Sequence, residues 1–144
     1  MTYLVSVSTI FNLPANKVYE ALCFLDNYPL WNISMVRISK SGYLEENMLV
    51  ETESIIVGQK VVSNFEIIRL IPNELIEMIN NSGAITYHAM YQLLSESPNE
   101  TEVICTLRFE FSGFILNLGR PIIEGMAESR LRNNMEALQA LIGG

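Results

Sequence analysis

The stretch RPIIEGMAESRLRNNMEALQALIGG, residues 120–144, decides how the rest of the chain is expected to fold. Pro121 suits the first turn of a helix, and Gly143-Gly144 is typical of a helix end. The positions between them that recur at three- and four-residue steps form one face of a helix. They are Ile123, Ala127, Leu131, Asn134, Leu138 and Leu141–Ile142. At ~1.5 Å per residue such a helix spans about 33 Å, so we expect the preceding residues to form a broad surface against it.

The first third of the chain predicts one strand and two short helices. Tyr3–Ile10 alternates apolar and polar side chains with a period of two, which is typical of a strand. Pro14 suits the start of a first short helix. Asp26-Asn27 is a capping sequence for a second short helix, which we expect Pro29 to end or bend.

From Trp31 to about residue 112 the apolar side chains alternate with a period of two, and short turns interrupt the alternation. We expect about six strands here, paired as antiparallel hairpins because the connections are short. Val36 and Ile38 are expected to share the inner face of the first of them. In Lys60–Leu70 two apolar sets compete for the inner face, and we expect the set that contains Phe65. The predicted turns are Lys40–Gly42, Gly58-Gln59, Pro72-Asn73, Asn80–Gly83 and Ser95–Glu100.

The order of elements predicts a single α+β domain over residues 1–144. It would contain a strongly bent antiparallel sheet of six to seven strands, with two short helices after the first strand. The long C-terminal helix would cover the concave face of the sheet. We find no internal repeat and no linker sequence that would divide the chain.

Composition and charge limit the classes of partner. The formal net charge is −7, and lysines and arginines form no cluster, so we expect no nucleic-acid partner. No apolar run approaches the ~20 residues of a membrane span, so we expect no stable membrane insertion. Without a secretory signal we expect a cytoplasmic protein, in which Cys23 and Cys105 are buried free thiols.

Two short segments and the last helix carry a resemblance to a known superfamily. Leu13-Pro14-Ala15 followed by Val18–Leu22 is similar to the start of that superfamily's first helix. Leu25–Asn32, which contains Tyr28-Pro29-Leu30-Trp31, is similar to the end of its second helix. Leu118–Ile123 leading to Asn134–Gln139 is similar to its closing helix. On these residues the chain resembles the helix-grip fold of the SRPBCC, or START-like, superfamily, closest to the polyketide cyclase/dehydrase branch.

The resemblance implies a bent sheet that grips the long helix and a largely apolar cavity between them. Members of the superfamily bind lipids, sterols, polyketides, quinones or plant hormones in that cavity, and some catalyse cyclisation or dehydration. A fold alone does not select one of these functions.

Candidate ligand-binding residues are large apolar or amphipathic side chains expected on the inner face of the sheet or along the last helix. If Tyr87 and Tyr91 point inward, their hydroxyl groups would orient an apolar ligand; we expect instead that they reach the rim and water. Arg130 adjoins the apolar face of the helix, where it would meet a ligand carboxylate or form a surface pair with a Glu; we expect the surface pair. The full set is Trp31, Phe65, Tyr87, Tyr91, Phe109, Ile122, Met126 and Arg130.

Candidate catalytic residues are Glu66 and His88. If Glu66 faced the cavity, burial would raise the pKa of its carboxyl group and suit it to proton transfer. We expect Glu66 to point outward, since it follows Phe65, and likewise His88, since it lies between Tyr87 and Ala89. A metal site is not expected, because His88 is the only histidine and no ligand spacing is present. No cofactor-binding motif occurs, so we expect no cofactor.

Three hypotheses for function follow. The first is binding of a small hydrophobic molecule of the lipid, polyketide or isoprenoid-like class. The second is an enzyme of the polyketide cyclase/dehydratase type that uses Tyr87 or Tyr91 with Glu66 or His88. The third is a dimerisation module that uses an exposed strand face, with a monomer or a homodimer as the expected state. The residues of that face would be Ile104, Met90 and Met78.

Overall fold

The structure is a computed structural model that describes residues 2–111 and 119–144. Leu118, part of the sequence segment that leads into the last helix, lies outside the described residues. The helices are α1 Ala15–Cys23, α2 Tyr28–Trp31 and α3 Arg120–Ile142, with a 3₁₀ turn at Leu25–Asn27 between α1 and α2. The strands are β1 Tyr3–Phe11, β2 Met35–Ile38, β3 Leu49–Ile56, β4 Gln59–Ile71, β5 Leu75–Asn80, β6 Ile85–Ser97 and β7 Glu100–Phe111.

The seven strands form one antiparallel sheet in the order β1-β7-β6-β5-β4-β3-β2. Strands β2 to β7 pair with their neighbours in sequence; the turns from β3 to β7 are short, whereas residues 39–48 connect β2 to β3. β1 pairs instead with β7, and the chain passes through α1 and α2 to reach the opposite edge before β2. The predicted α+β architecture, with a curled sheet around a long C-terminal helix, is confirmed.

A bulge in β4 explains why its inner face is ambiguous in the sequence. Val61, Phe65 and Ile67 are buried on the concave face, as expected, and Glu66 lies on the convex face. The register then shifts between Ile67 and Arg69, so Leu70 packs against the core although it belongs to the competing set. Each apolar set is therefore interior on its own side of the bulge.

Two local expectations near α2 are wrong. Pro29 lies in the first turn of α2, which begins at Tyr28, and there the missing amide hydrogen removes no hydrogen bond. Val36 does not share the inner face with Ile38, because a bulge lies between Met35 and Arg37. Met35 is buried in its place and Val36 is 60% exposed.

α3 begins and ends where the sequence predicts. Pro121 lies in its first turn, and Gly143 ends it in the left-handed conformation at φ 75°. The residues buried on α3 are Ile123, Leu131, Asn134, Met135 and Leu138, while Leu141 is 41% exposed. Met135 is an addition to the predicted face, and Leu141 is a correction to it.

Polar groups of α3 bind the free edge of β1. The Gln139 side-chain amide donates a hydrogen bond to the Ile10 carbonyl at 2.7 Å. The Leu4 amide donates to the Glu124 carboxylate at 3.2 Å. An edge strand exposes unpaired backbone groups, so these contacts both satisfy β1 and fix α3 along it.

Candidate functional site

A cavity of about 210 Å³ lies between the first half of α3 and the concave face of the sheet. A void of about 10–15 Å³ by the same measure holds one water, so this cavity has room for a small organic molecule. Most of its wall is apolar, and polar side chains are set into it at a few positions. Among the apolar residues are Val61, Phe65, Met78, Leu107, Phe109 and Ile123. The polar residues include Asn32, Thr52, Ser54, Ser63, Tyr87, Arg130 and Asn134.

The cavity borders a shallow surface groove formed by α3, the segment after α2 and the end of β3. Met126 and Arg130 line both the cavity and this groove. Met126 is 40% exposed. These two side chains therefore stand at the mouth, where an unbranched Met can move aside at low energetic cost.

Tyr87 and Tyr91 point into the cavity, and the expectation that their hydroxyl groups reach the rim and water is wrong. The Tyr87 hydroxyl group lies near Ser63, and burial raises the pKa of this hydroxyl group to about 12. Tyr91 lies near the Cys105 thiol, and burial holds the pKa of its hydroxyl group well above 10.0. Both phenols therefore remain protonated at neutral pH and are available as neutral hydrogen-bonding groups.

Thr52 and Ser63 form a second polar position on the same wall. Their hydroxyl groups are 2.9 Å apart and both side chains are buried. They face each other across the β3–β4 pairing. The alternation of the two strands already placed these positions inward, between Val50 and Ser54 and between Val61 and Phe65. Their polarity was the signal for a lined cavity that the sequence reasoning missed.

Arg130 is the single charged residue among the described residues that line the cavity. Its Nη1 atom is buried and has no hydrogen-bond partner in the described part of the chain. Burial lowers the pKa of its guanidinium group below its ordinary value, and no carboxylate opposes that effect. The predicted surface pair is wrong for Arg130. It is Arg132 that forms such a pair, with Glu128 at 2.8 Å.

Glu66 and His88 both lie on the convex face of the sheet, as expected, and neither lines the cavity. His88 Nε2 is 2.6 Å from the Glu77 carboxylate on that face. The sheet therefore separates both residues from Tyr87 and Tyr91. The proton-transfer pairs considered from the sequence are not formed.

The remaining predicted ligand residues divide into two groups. Phe65 and Phe109 line the cavity together with Tyr87, Tyr91, Met126 and Arg130. Trp31 and Ile122 do not: Trp31 is fully buried against Tyr28 and Tyr91, and Ile122 lies in the outer groove, 55% exposed. Trp31 thus holds α2 against the sheet, since its ring packs edge-on to both tyrosines.

In the described ranges, no three His, Cys, Asp or Glu side chains are placed to hold a metal ion. Within those same ranges, no helix has the length and apolar character needed to cross a membrane.

Comparison with known proteins identifies the fold. No protein-family model matches the chain, and no curated protein matches it. Among solved structures, a START superfamily protein from Mycobacterium smegmatis is similar, with TM-score 0.83 and 17% identity over 98% of this chain and 97% of that one. A conserved protein from Geobacillus kaustophilus is similar at TM-score 0.80 and 15% identity, over 99% and 95% of the two chains.

A third similar structure belongs to an enzyme, the Zhui aromatase/cyclase from Streptomyces sp. R1128. Its TM-score is 0.70 at 17% identity, over 99% of this chain and 93% of that one. These similarities extend along nearly the whole chain at low identity, so they identify the fold. The chain has the START-like helix-grip fold that its sequence resembles.

Proposed function

We propose that this protein binds a small hydrophobic molecule of the lipid, polyketide or isoprenoid-like class in the cavity between α3 and the sheet. The observation that carries the proposal is the mainly apolar cavity itself, which lies inside the fold and reaches the surface beside Met126. A concave apolar pocket with a few polar groups is the usual form of a small-molecule site.

Burial of apolar ligand surface supplies the driving force in this proposal. Each 100 Å² of apolar surface removed from water contributes about 2.5 kcal/mol. The wall around Phe65, Met78 and Phe109 offers such surface. Tyr87 and Ser63 then orient the polar end of the ligand, because a polar ligand group left without a hydrogen bond inside the cavity would lose affinity.

A cyclase or dehydratase reaction has less support. Its proton transfer would need Tyr87 or Tyr91 together with Glu66 or His88, which lie on the other face of the sheet. Sharing a fold with an aromatase/cyclase does not supply the missing acid or base. We therefore propose binding, without a reaction, as the function.

A dimerisation role also has less support than it had from the sequence. Three residues were expected to form the exposed dimer face. Met78 is instead buried and lines the cavity, whereas Met90 and Ile104 lie on the convex face. A monomer or a homodimer is compatible with ligand binding. We further propose a cytoplasmic location, which the two free buried thiols support.

The test is native mass spectrometry of the protein purified from its host, followed by titration with N-phenylnaphthylamine, a neutral apolar fluorophore. We expect a co-purifying apolar mass that is lost on denaturation, or saturable fluorophore binding to the empty protein. Met126→Trp should weaken binding by narrowing the mouth. Leu141→Trp is the matched control, since Leu141 is similarly exposed on α3 but lies away from the cavity. Absence of both the mass and the fluorophore signal would refute the proposal.

A further inference from the structure

Arg130 presents a positive charge to a cavity whose other described wall residues are uncharged. A guanidinium group stays protonated across the physiological pH range, and its five N–H groups are hydrogen-bond donors. The Nη1 atom of Arg130 is buried and finds no acceptor among the described residues. A native structure rarely leaves a buried charged donor unpaired, because the missing interaction costs free energy.

Among the described residues that line the cavity and the outer groove with Arg130, none carries a negative charge. No Asp or Glu belongs to the described part of the cavity wall, and the nearby polar residues are neutral. On the same helix, Arg120 and Arg132 each have a carboxylate four residues away, Glu124 and Glu128. Arg130 is therefore the exception on α3, and its missing counter-charge would have to come from outside the chain.

The position of Arg130 also indicates where that counter-charge would sit. Its side chain lines both the cavity and the outer groove, at the mouth beside Met126. A ligand whose apolar part fills the interior would leave its head group at this mouth. An amphipathic molecule with a charged head and an apolar body fits both parts of the site.

The number of charges selects the class of head group. One guanidinium balances one negative charge, and its planar fork matches a carboxylate through two parallel hydrogen bonds. A phosphate monoester carries about −1.5 to −2 at neutral pH and would remain unbalanced, because no second cation is found among the described residues of the wall.

From these observations we propose that the ligand is an amphipathic carboxylic acid, bound as its carboxylate to Arg130 with its apolar body in the cavity. This inference rests on the proposed hydrophobic-ligand function and deepens it by naming the ligand class. In the empty protein the partly buried guanidinium group without a counter-charge is unfavourable in free energy. A bound carboxylate would supply the counter-charge and relieve that penalty.

The experiment compares decanoate with decan-1-ol as competitors of N-phenylnaphthylamine, since the two share a ten-carbon chain and differ in the charge of the head group. The proteins are wild type, Arg130→Gln, Arg130→Lys and Arg132→Gln. We expect Arg130→Gln to lower the decanoate-to-decanol affinity ratio by about 10- to 100-fold, the equivalent of a charge-assisted hydrogen bond. Arg130→Lys should retain part of the ratio, and Arg132→Gln should leave it unchanged.

A thermal melt of the empty variants separates a binding role from a structural one. If Arg130 serves the ligand, Arg130→Gln should melt at or above the wild-type temperature, because an uncompensated charge has been removed. A marked fall in melting temperature would assign Arg130 to the architecture instead and would overturn the inference.

The competition also distinguishes failure of the inference from failure of the proposed function. If the fluorophore and decan-1-ol bind while the affinity ratio is the same in wild type and Arg130→Gln, the cavity binds ligands but the carboxylate assignment is wrong. Tighter binding of decyl phosphate than of decanoate would overturn the assignment as well. If neither the fluorophore nor either competitor binds, both the function and the inference are refuted.

Discussion

The hydroxyl group of Ser63 is paired with a second hydroxyl group on the concave face of the sheet. It is 2.9 Å from the Thr52 hydroxyl group and lies near that of Tyr87. All three side chains line the cavity. Removal of one partner from such a group leaves the others unsatisfied, which costs more than the bond itself contributes.

We therefore predict that Ser63→Ala lowers the free energy of unfolding by about 1–2 kcal/mol. Urea unfolding followed by Trp31 fluorescence measures this change. Ser6→Ala, on the exposed convex face of β1, is the control and should stay within about 0.5 kcal/mol of wild type. In a double-mutant cycle with Thr52→Val, additive effects would contradict the proposed coupling between the two hydroxyl groups.

At the residue scale, the sequence predicts which side a strand residue faces better than it predicts what the residue meets there. Phe65 inside and Glu66 outside were predicted from the alternation of the set that contains Phe65, although a second apolar set competed with it. The orientation of Tyr91 and the isolation of Arg130 do not follow from it. Both depend on whether the space opposite is filled by another element or left empty, and that is decided by residues distant in sequence.

At the element scale, the two halves of α3 differ in how many of their side chains are buried in the core. The second half packs through Leu131, Met135 and Leu138, whereas Ile123 is the single fully buried residue of the first half. Gly125 lies in that first half, and a Cβ atom built on it would have no neighbour within 4 Å. No close approach of another part of the chain to Gly125 is therefore found among the described residues.

We predict opposite effects for the same substitution at two glycines of α3. Gly125→Ala should raise the free energy of unfolding by about 0.5–1 kcal/mol, because Ala loses less backbone entropy in a helix interior. Gly143→Ala should lower it by about 1 kcal/mol, because Gly143 adopts a left-handed conformation at φ 75° that strains an L-residue. Chemical denaturation of both variants tests the pair. Destabilisation by Gly125→Ala would indicate a role for this glycine beyond helix geometry.

The boundaries of elements were the part of the fold that short-range patterns described least well. Pro29 lies in the first turn of α2, although a proline is equally a sign of a helix end. The bulges at Met35/Arg37 and Ile67/Arg69 shift the strand register by pairing across the sheet. The apolar pattern of a single strand carries no information about its partner strand. Periodicity within one strand therefore could not locate these two bulges.

At the scale of the whole molecule, the order of elements was sufficient to predict the architecture. One strand, two short helices, six hairpin-connected strands and a long helix allow few packings that bury every apolar face. The cavity is different, because it is the space that remains after all side chains have packed. Its walls were largely predictable from alternation and its presence from the family resemblance, but its mouth and the single charge among its described wall residues required the three-dimensional arrangement.

Buried tyrosines and thiols give the whole fold a predictable sensitivity to alkaline pH. Burial raises the pKa of the Tyr28 and Tyr91 hydroxyl groups well above 10.0 and that of Tyr87 to about 12. It raises the pKa of the Cys23 thiol to about 11 and that of Cys105 to about 12. Each raised pKa means that the folded state holds its proton more tightly than the unfolded state does. The associated stability is present below the unfolded pKa values, 9.0 for Cys and 10.0 for Tyr, and is lost as pH rises through the folded values.

We predict that the urea midpoint changes little between about pH 7 and pH 8.5 and then falls steeply from about pH 9 towards pH 12. Trp31 fluorescence reports unfolding, since Trp31 is the only tryptophan and is fully buried. Ultraviolet absorbance reports tyrosinate formation in the same samples. The three buried tyrosines should ionise only as the protein unfolds. Tyr91→Phe removes one of these titrating groups and should make the alkaline fall shallower. If all six tyrosines ionised near pH 10 while the protein was still folded, water would have access to the cavity. That result would contradict the apolar interior on which ligand binding depends.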